Sequence, residues 1–541
     1  MHPKSSLSAP LRNTDFRALW AASLASNLGG LIQAVGAGWM MTTISDSAAL
    51  VSLVQAATTL PIMIFSLAAG ALADSLDRRR VMLTAQLLMM AASVALAAFA
   101  YLGWLTPWLL LGFTFVIGCG TALHNPSWQA SMGDVVARED IPAAVSLNSM
   151  AFNLMRSVGP ALGGVVVATA GAAMAFAINA VSYLPFVYAL LRWKRAVIPS
   201  ALPREAFPGA MSAGLRYVMM SPNLMKVMFR SFVFGLAAIA TLALLPLIAR
   251  DLVSGGAITY GILLGSFGVG AIGGALANNH FRARYANEKI VRGTFLVFAI
   301  CMLALALSRQ TWLSALCLLP AGACWVMTLS LFNVTVQLST PRWVVGRSLA
   351  MYQTATFGGM ATGSWLWGQI AQFDGPMTAL LGAAIVLALG AIIGLRYALP
   401  EFGTLNLDPL DQFREPELRL DLKSRSGPIM VMVDYEIAQE DVPAFLAAMV
   451  DRRRIRIRDG ARQWALLRDL ENPDIWTETY HVPTWIEYIR HNQRRTQADA
   501  EVYERLLALH RGRERPRVHR MIERQTVPTH DDMPLKSPPD V

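Results

Sequence analysis

From Val81 to Gly133 the chain runs 53 residues without one Lys, Arg, Asp or Glu. That is too long for a core helix of a soluble protein. A hydrocarbon layer of ~30 Å takes about 20 apolar helical residues, so the run fits two crossings joined by a short turn. Uncharged runs recur: 28 residues between Arg17 and Asp46, 27 between Asp46 and Asp74, and 35 between Arg156 and Arg192. Three more follow, of 30 residues after Asp251, 32 after Arg309 and 26 after Arg347. Lipid is therefore the solvent for most of this chain. Each crossing must be a helix, because an open strand edge leaves backbone groups unsatisfied in hydrocarbon. Twelve spans are expected, near 16–43, 48–73, 81–101, 108–131, 145–171, 173–193, 226–249, 257–279, 290–308, 311–338, 346–372 and 377–398.

Charge divides the chain. Residues 1–399 carry 24 Lys/Arg against 11 Asp/Glu, and residues 400–541 carry 22 against 25. The net +10 does not point to nucleic acid, because the basic excess lies in the loops between spans. Lys and Arg number 21 on the side holding the N-terminus and the even-to-odd loops, and two, Arg250 and Arg309, on the other. That bias in short loops predicts both termini in the cytoplasm of a multi-pass protein. Met1–Thr14 lacks the apolar core of a cleaved signal peptide, so the first span is expected to stay as an anchor. The four cysteines, Cys119, Cys301, Cys317 and Cys324, all fall in apolar segments without a CxxC partner and read as small hydrophobes. No Walker loop is present, which argues against an ATP-driven pump in this chain.

The membrane part repeats itself. Gly70-Ala71-Leu72-Ala73-Asp74 closes the second span, and Gly274-Ala275-Leu276-Ala277-Asn278 closes the eighth, 204 residues later. At the same offset Gly159 falls on Gly363 and Gly164 on Gly368. Two parallel six-helix halves are one of the transporter plans. The expected organisation is a cytoplasmic N-terminus (1–15), a six-helix bundle (16–193), a cytoplasmic connection (194–225) and a second bundle (226–399). A linker (400–427), a cytoplasmic α+β domain (428–527) and a disordered tail (528–541) complete it.

Two motifs stand out. The first runs Gly70-Ala71-Leu72-Ala73-Asp74-Ser75-Leu76-Asp77-Arg78-Arg79-Arg80 and resembles the signature loop of the major facilitator superfamily. The resemblance implies a cytoplasmic gate in which Asp74 caps and pairs across the interface between halves, holding the outward-facing state. Ser75 and Asp77 depart from the usual pattern, and Asp77 can pair with its own arginines; a positive-inside loop alone is the plainer reading. The second, Arg156-Ser157-Val158-Gly159-Pro160-Ala161-Leu162-Gly163-Gly164, resembles the Gly-Pro-x-x-Gly-Gly motif that exporters of that superfamily carry in helix five. Pro160 is expected to bend the helix, and Gly159, Gly163 and Gly164 to admit a close neighbour. Plain helix packing weighs equally there. Arg156 sits within the span, where an unpaired charge costs at least ~2.5–3.5 kcal/mol, so it marks a wet path or a polar partner.

Uncharged polar and aromatic groups at membrane depth are the cavity candidates: Asn27, Gln33, Trp39, Gln55, His124, Asn148, Asn153, Asn333, Gln337, Gln353 and Trp365. Polar groups there face protein or a cavity, not lipid. Together they suit a mostly apolar or aromatic solute. His124 is the one histidine that could titrate there, although a packing role is favoured. No acidic residue lies deep in any span; Asp46 and Asp374 sit at outer ends.

In the tail, Ile429, Val431, Val433, Tyr435 and Ile437 alternate with polar and methionine residues as a strand. Glu440–Arg454 reads as a helix with Phe445, Leu446 and Met449 inward. Arg462–Leu470 and Ile475–Val482 read as a hairpin, 484–492 and 498–510 as helices, and 517–523 as a strand. The order βαββαβ is a ferredoxin-like plan. With Asp459-Gly460-Ala461-Arg462-Gln463-Trp464 and Thr484-Trp485-Ile486-Glu487-Tyr488 it resembles the dimeric α+β barrel modules of antibiotic-biosynthesis monooxygenases. No catalytic set carries over, and His481, His491 and His510 are not spaced as metal ligands. Trp464, Trp476 and Trp485 read as core. The basic run 452–458 reads as a solvated face or a contact for anionic lipid.

The chain as a whole resembles the transmembrane secretion effector family of major facilitator transporters, which includes enterobactin-exporter-like proteins. The resemblance runs through the aspartate loop, Pro126-Ser127-Trp128-Gln129-Ala130, Ser146-Leu147-Asn148, the Gly-Pro segment, Gly346-Arg347 with Met351-Tyr352-Gln353, and the tail. It implies an all-α membrane protein of twelve helices in two bundles, in a bacterial inner membrane. It implies export of a small organic molecule by proton antiport, with no metal, no cofactor and no catalytic residue. Lipid and a small-molecule substrate are the expected partners, with the tail as a dimerisation or sensing module. A membrane-tethered oxygenase and a non-transporting scaffold are the competing readings.

Overall fold

The computed structural model describes residues 9–75, 77–137, 140–193, 207–341, 343–401, 406–410 and 412–523. The side chains of Asp74, Asn153 and Arg156 and the surroundings of Gly70 lie outside the described set, as do residues 194–206 of the expected connection and the expected tail 528–541.

The membrane part is helical throughout. Its first half holds α1 (Thr14–Ile44), α2 (Ala48–Ser75), α3 (Arg78–Tyr101), α4 (Pro107–Val135), α5 (Ile141–Ser182) and α6 (Leu184–Arg192). Helix starts follow local chemistry. Asn13 Oδ1 accepts from the backbone N–H of Asp15 and Phe16 at 2.9 and 3.0 Å, capping α1. Asn13 Nδ2 reaches across to Val135 O at 2.8 Å. Thr106 caps α4 just before Pro107, which needs no hydrogen bond at that position. After α7 (Phe207–Met219), the second half holds α8 (Pro222–Leu247), α9 (Ala257–Arg284), α10 (Asn287–Leu307), α11 (Thr311–Leu338) and α12 (Val345–Arg396).

Ten helices among the described residues are long and apolar enough to cross a membrane. Two of them join neighbouring expected spans through one glycine. Helix α5 leaves helical geometry at Gly171 (φ 81, ψ 166) and α12 at Gly375 (φ 83, ψ 162), 204 residues on. The sequence repeat is thus also a repeat of backbone conformation, in a region of φ/ψ that is essentially glycine's own. The chain stays helical through Pro160, and the break in helical geometry falls at Gly171, where φ is positive. Packing repeats as well. A Cβ on Gly159 would meet Leu31 of α1 at 2.7 Å, and one on Gly363 would meet Ile239 of α8 at 2.7 Å.

Apolar residues cover the outside as well as the inside. Helix α10 buries Phe295, Phe298 and Met302 while exposing Leu296, Ile300, Leu303 and Leu307. Such a surface suits hydrocarbon and not water.

A second compact unit contains residues 208–224, 337–348 and those from 402 onward. Its four-stranded antiparallel sheet is β1 (Ile429–Glu436), β2 (Arg462–Arg468), β3 (Ile475–Val482) and β4 (Arg517–Ile522), in the order β2-β3-β1-β4. Val433 stands opposite Glu478 on β3 and Val518 on β4. Helices α13 (Val442–Asp459), α14 (Trp485–Gln493) and α15 (Gln497–Leu509) complete the tail. Its core gathers Val431, Tyr435, Phe445, Met449, Trp476, Tyr480 and Trp485.

Three expectations for the tail change. Leu446 is exposed, while Ala448 takes the inward position. Trp464 only packs against the rim of the core. The run 452–458 is split between two faces: Arg453 and Arg454 are exposed, but Arg452 and Arg456 are only 3% and 2% exposed. Alternation of arginine with isoleucine hid this, because the stripe facing the sheet is the one with the arginines. The segments expected as linkers also fold here. Tyr217 of α7 meets Trp343 edge-on at 5.7 Å, and Arg454 donates to Met220 O at 2.7 Å. Trp485 Nε1 donates to Glu415 at 3.1 Å, and Trp485 N donates to Ser426 O at 2.7 Å.

Candidate functional site

The loop 77–80 gives each charge a different task. Asp77 accepts from Arg79 N–H at 3.0 Å and caps α3, where a negative charge also suits the helix dipole. Arg78 Nη1 pairs with Asp134 Oδ2 at 3.1 Å, tying α3 to the last turn of α4. Arg79 donates to Leu190 O at 2.7 Å and Leu191 O at 2.8 Å, two of the last carbonyls of α6. Arg80 projects into solvent, 3.9 Å from Asp77. Asp134 was not among the expected gate residues. Its signal was available: it is the first charge after the 53-residue run.

The second half carries a buried ion pair that the sequence reading also passed over. Arg230 Nη1 on α8 lies 2.5 Å from Glu288 Oε2 in the first turn of α10. Glu288 also accepts from Leu399 N–H at 2.9 Å, and Glu401 accepts from Asn287 N–H at 3.1 Å. One carboxylate thus gathers α8, α10 and the chain leaving α12. Glu288 is one of three acidic residues between 226 and 399, a rarity that marked it.

The two halves touch along α5–α9 and α2–α12. A Cβ on Gly261 would lie 2.6 Å from Gly164 Cα, so the exporter-like glycine meets a glycine backbone to backbone. A Cβ on Gly265 would meet Ala161 at 3.2 Å, and one on Gly368 would meet Ser52 Cβ at 2.8 Å. Toward the same end, Trp39 stacks on Tyr260 at 6.1 Å and 21°. Arg250 Nη1 donates to Thr42 O at 3.1 Å, and Ser47 Oγ donates to Gln372 Oε1 at 2.9 Å. Further along α2, Ser66 Oγ and Thr354 Oγ1 are 2.9 Å apart. Gly163 packs against Val35 and Gly159 against Leu31, within the first half.

The cavity candidates do not converge on one place. Gln33 Oε1 accepts from Ser93 Oγ at 2.9 Å and from Asn179 Nδ2, and Asn179 also reaches Tyr183 Oη at 3.1 Å. This network is fully buried inside the first half, so Gln33 is a packing residue and not a lining one. His124 sits 3.4 Å from Gln86 and edge-on to Phe186 at 4.9 Å, the packing role favoured from sequence. Asn148 accepts from Trp128 Nε1 at 3.1 Å. Gln55 accepts from Thr58 Oγ1 at 3.5 Å. Trp365 is exposed on α12. Asn27, Asn333, Gln337 and Gln353 lie on α1, α11, α11 and α12. Among the described residues no group of three or more His, Cys, Asp or Glu could hold a metal ion.

Comparison with known proteins follows the same lines. The family model described as transmembrane secretion effector matches residues 5–527. The multidrug efflux pump Tap of Mycolicibacterium fortuitum is 25% identical over 401 residues, covering 71% of this chain and 96% of Tap. The staphyloferrin A transporter of Staphylococcus aureus is 24% identical over 248 residues, covering 45% of this chain and 62%, under two thirds, of that transporter. Among solved structures, the D-xylose-proton symporter superimposes with a TM-score of 0.57 at 16% identity, over 72% of this chain and 98% of the symporter. That likeness shows the fold, which is the one major facilitator transporters share.

Proposed function

This chain belongs to the transmembrane secretion effector family, whose members are transporters and not enzymes, and from that premise we propose that it is a secondary-active exporter of a small organic molecule. The bundles α1–α6 and α8–α12 are its two halves. Twelve crossings result when the arms on either side of Gly171 and of Gly375 each span the layer. The observation that carries the reading is the contact between halves. At one end it is built from glycine against glycine, ring against ring and short polar pairs, which can part without stranding a buried charge. The distribution of basic residues puts both termini and the 74–80 gate in the cytoplasm, so this contacting end faces outward. Alternating access then consists of opening here while Asp74, Asp77 and Arg78–Arg80 close the opposite side.

The membrane is the bacterial inner membrane. The substrate is a mostly apolar or aromatic solute, in keeping with the efflux pump and the siderophore transporter among the relatives. Coupling to protons rests on the family resemblance. The tail's strand order supports a ferredoxin-like module, with a non-catalytic role in dimerisation or sensing. Purified protein in vesicles with an imposed pH gradient, offered a panel of amphipathic dyes and siderophores, tests the proposal. Saturable, gradient-dependent flux of at least one class is expected. Absence of flux for every class, in protein shown to be inserted, would overturn it.

A further inference from the structure

The helix-covered face of the tail's sheet is not filled. A cavity of ≈ 770 Å³ lies over β1, β3 and β4, bounded by α13 and α14, by Leu407, Pro409, Leu410 and Phe413, and by Pro341 and Trp343. Cavities of roughly 300–1,000 Å³ are the size of small-molecule sites. Six arginines line it, Arg414, Arg452, Arg456, Arg494, Arg495 and Arg520, and no lining residue is acidic. One carboxylate stands behind the wall. Glu478 lies 3.1 Å from Arg456 and 3.5 Å from Arg452, and Arg452 Nε makes no hydrogen bond. Burial opposes ionisation of Glu478, but Arg456 and Arg452 outweigh it and hold the carboxyl down to about 2. The neighbouring carboxylates Asp459 and Asp499 are engaged by Arg458, at 2.8 Å each.

Arg495 and Arg520 rest on neutral acceptors, while Arg494 also lies in the field of the Asp459 carboxylate. Arg495 donates to Asn492 Oδ1 at 2.7 Å, Arg520 to Tyr488 Oη at 2.6 Å, and Arg494 to Asp459 O at 2.9 Å. Arg456 Nη1 donates to His491 Nε2 at 3.1 Å, and burial first, then Arg456 and Arg495, keep that imidazole neutral. Burial also pushes the Arg495 guanidinium down to about 10, with Arg456 and Arg452 acting the same way. Arg452, Arg456 and Arg494 are buried, Arg495 is half-buried and Arg414 and Arg520 are exposed, so an excess of guanidinium over carboxylate, part of it desolvated, faces the cavity and favours an anion. The other lining groups are flat: Tyr480, Tyr488, Tyr503 and Phe413, with Trp343 at one wall.

We propose that this cavity binds a small aromatic dicarboxylate. Arg495 and Arg520 take the carboxylates in the forked geometry that guanidinium offers, and the tyrosine faces take the ring. A single charge leaves the cationic excess uncompensated, and a saturated frame forfeits the ring contacts. Pro341 and Trp343 belong to the segment joining α11 to α12, so an occupant touches the chain that enters α12. The site is independent of transport, and binding to the resting protein is its measure.

The test is calorimetric titration of the full chain in lipid nanodiscs, without any gradient. The probes are naphthalene-2,6-dicarboxylate, naphthalene-2-carboxylate, cyclohexane-1,4-dicarboxylate and inorganic phosphate. The first should bind at least tenfold more tightly than each of the others and weaken as salt is raised. Arg495→Gln and Arg520→Gln should each reduce its affinity about tenfold, the scale of one charge-assisted bond. The unliganded Arg495→Gln protein should melt no lower than wild type, because the substitution relieves repulsion. A melting point that drops together with affinity would assign Arg495 to structure and overturn its role. Undetectable dicarboxylate binding up to about 1 mM would overturn the site. Phosphate binding as tight as the dicarboxylate would overturn the aromatic class.

Discussion

Replacing Gly261 by Ala puts a methyl where α5 and α9 cross. The new Cβ would sit 2.6 Å from Gly164 Cα, against 3.4 Å for ordinary contact, so the helices must part by about 0.8 Å at that point. Overpacking of this kind costs about 1–3 kcal/mol. If the two halves must close here once in every cycle, that cost falls on the closed state alone. The balance between states then moves by a factor of about 5–150. The assay is the initial rate of substrate flux in vesicles, with insertion checked by protease protection. Gly261→Ala should slow flux at least fivefold. Gly164→Ala should do the same, and the double variant should lose less than the sum, because both methyls press on one contact. Gly293→Ala on α10 is the control, since a Cβ there meets nothing within 4 Å. Wild-type flux from Gly261→Ala, or equal damage from Gly293→Ala, would refute the reasoning.

Other expectations follow from single residues. Asp74→Asn should slow transport while leaving insertion intact, as measured by flux per inserted molecule. Gly171→Ala and Gly375→Ala force a side chain into positive φ near 80°, which costs about 1–3 kcal/mol each; lower melting temperatures and lower yield of inserted protein are the readout. Glu478→Gln strands Arg452 and Arg456 and should destabilise the tail by about 3–5 kcal/mol in denaturant unfolding followed by tryptophan fluorescence. The same carboxylate sets an acid limit. Its folded pKa is depressed, so its contribution is complete above its ordinary value of 4.5 and is lost as pH falls toward about 2. Unfolding of the tail followed between those limits checks the window.

Much of the membrane fold was written in the spacing of charges. The uncharged runs marked the crossings because hydrocarbon tolerates no alternative, and the 204-residue repeat of glycines reappears as Gly171 and Gly375, a pair the reading missed although Gly171-Ala172 and Gly375-Pro376 fall at that offset. The tail's strands and helices lay within a few residues of their expected bounds for the same reason: alternation and turn residues are local signals. What depends on tertiary geometry was not legible. Arg452 and Arg456 look like surface residues until Glu478, Tyr480 and His491 arrive from other elements to surround them. Gln33 looked like a lining group because its partners Ser93 and Asn179 lie 60 and 146 residues away. Of the helix-five glycines singled out from sequence only Gly164 reaches the other half, and its partner Gly261 was not found, since that is a property of two helices crossing.

The most direct test of rocking halves is to lock the contacting end. A Cβ on Gly265 would lie 3.2 Å from Ala161 Cβ on the opposite half, near the Cβ separation of a disulfide, so Ala161→Cys with Gly265→Cys, in a chain with Cys119, Cys301, Cys317 and Cys324 replaced, should cross-link. The account predicts that oxidation stops flux and that reduction restores it. Full transport by the cross-linked protein would contradict it.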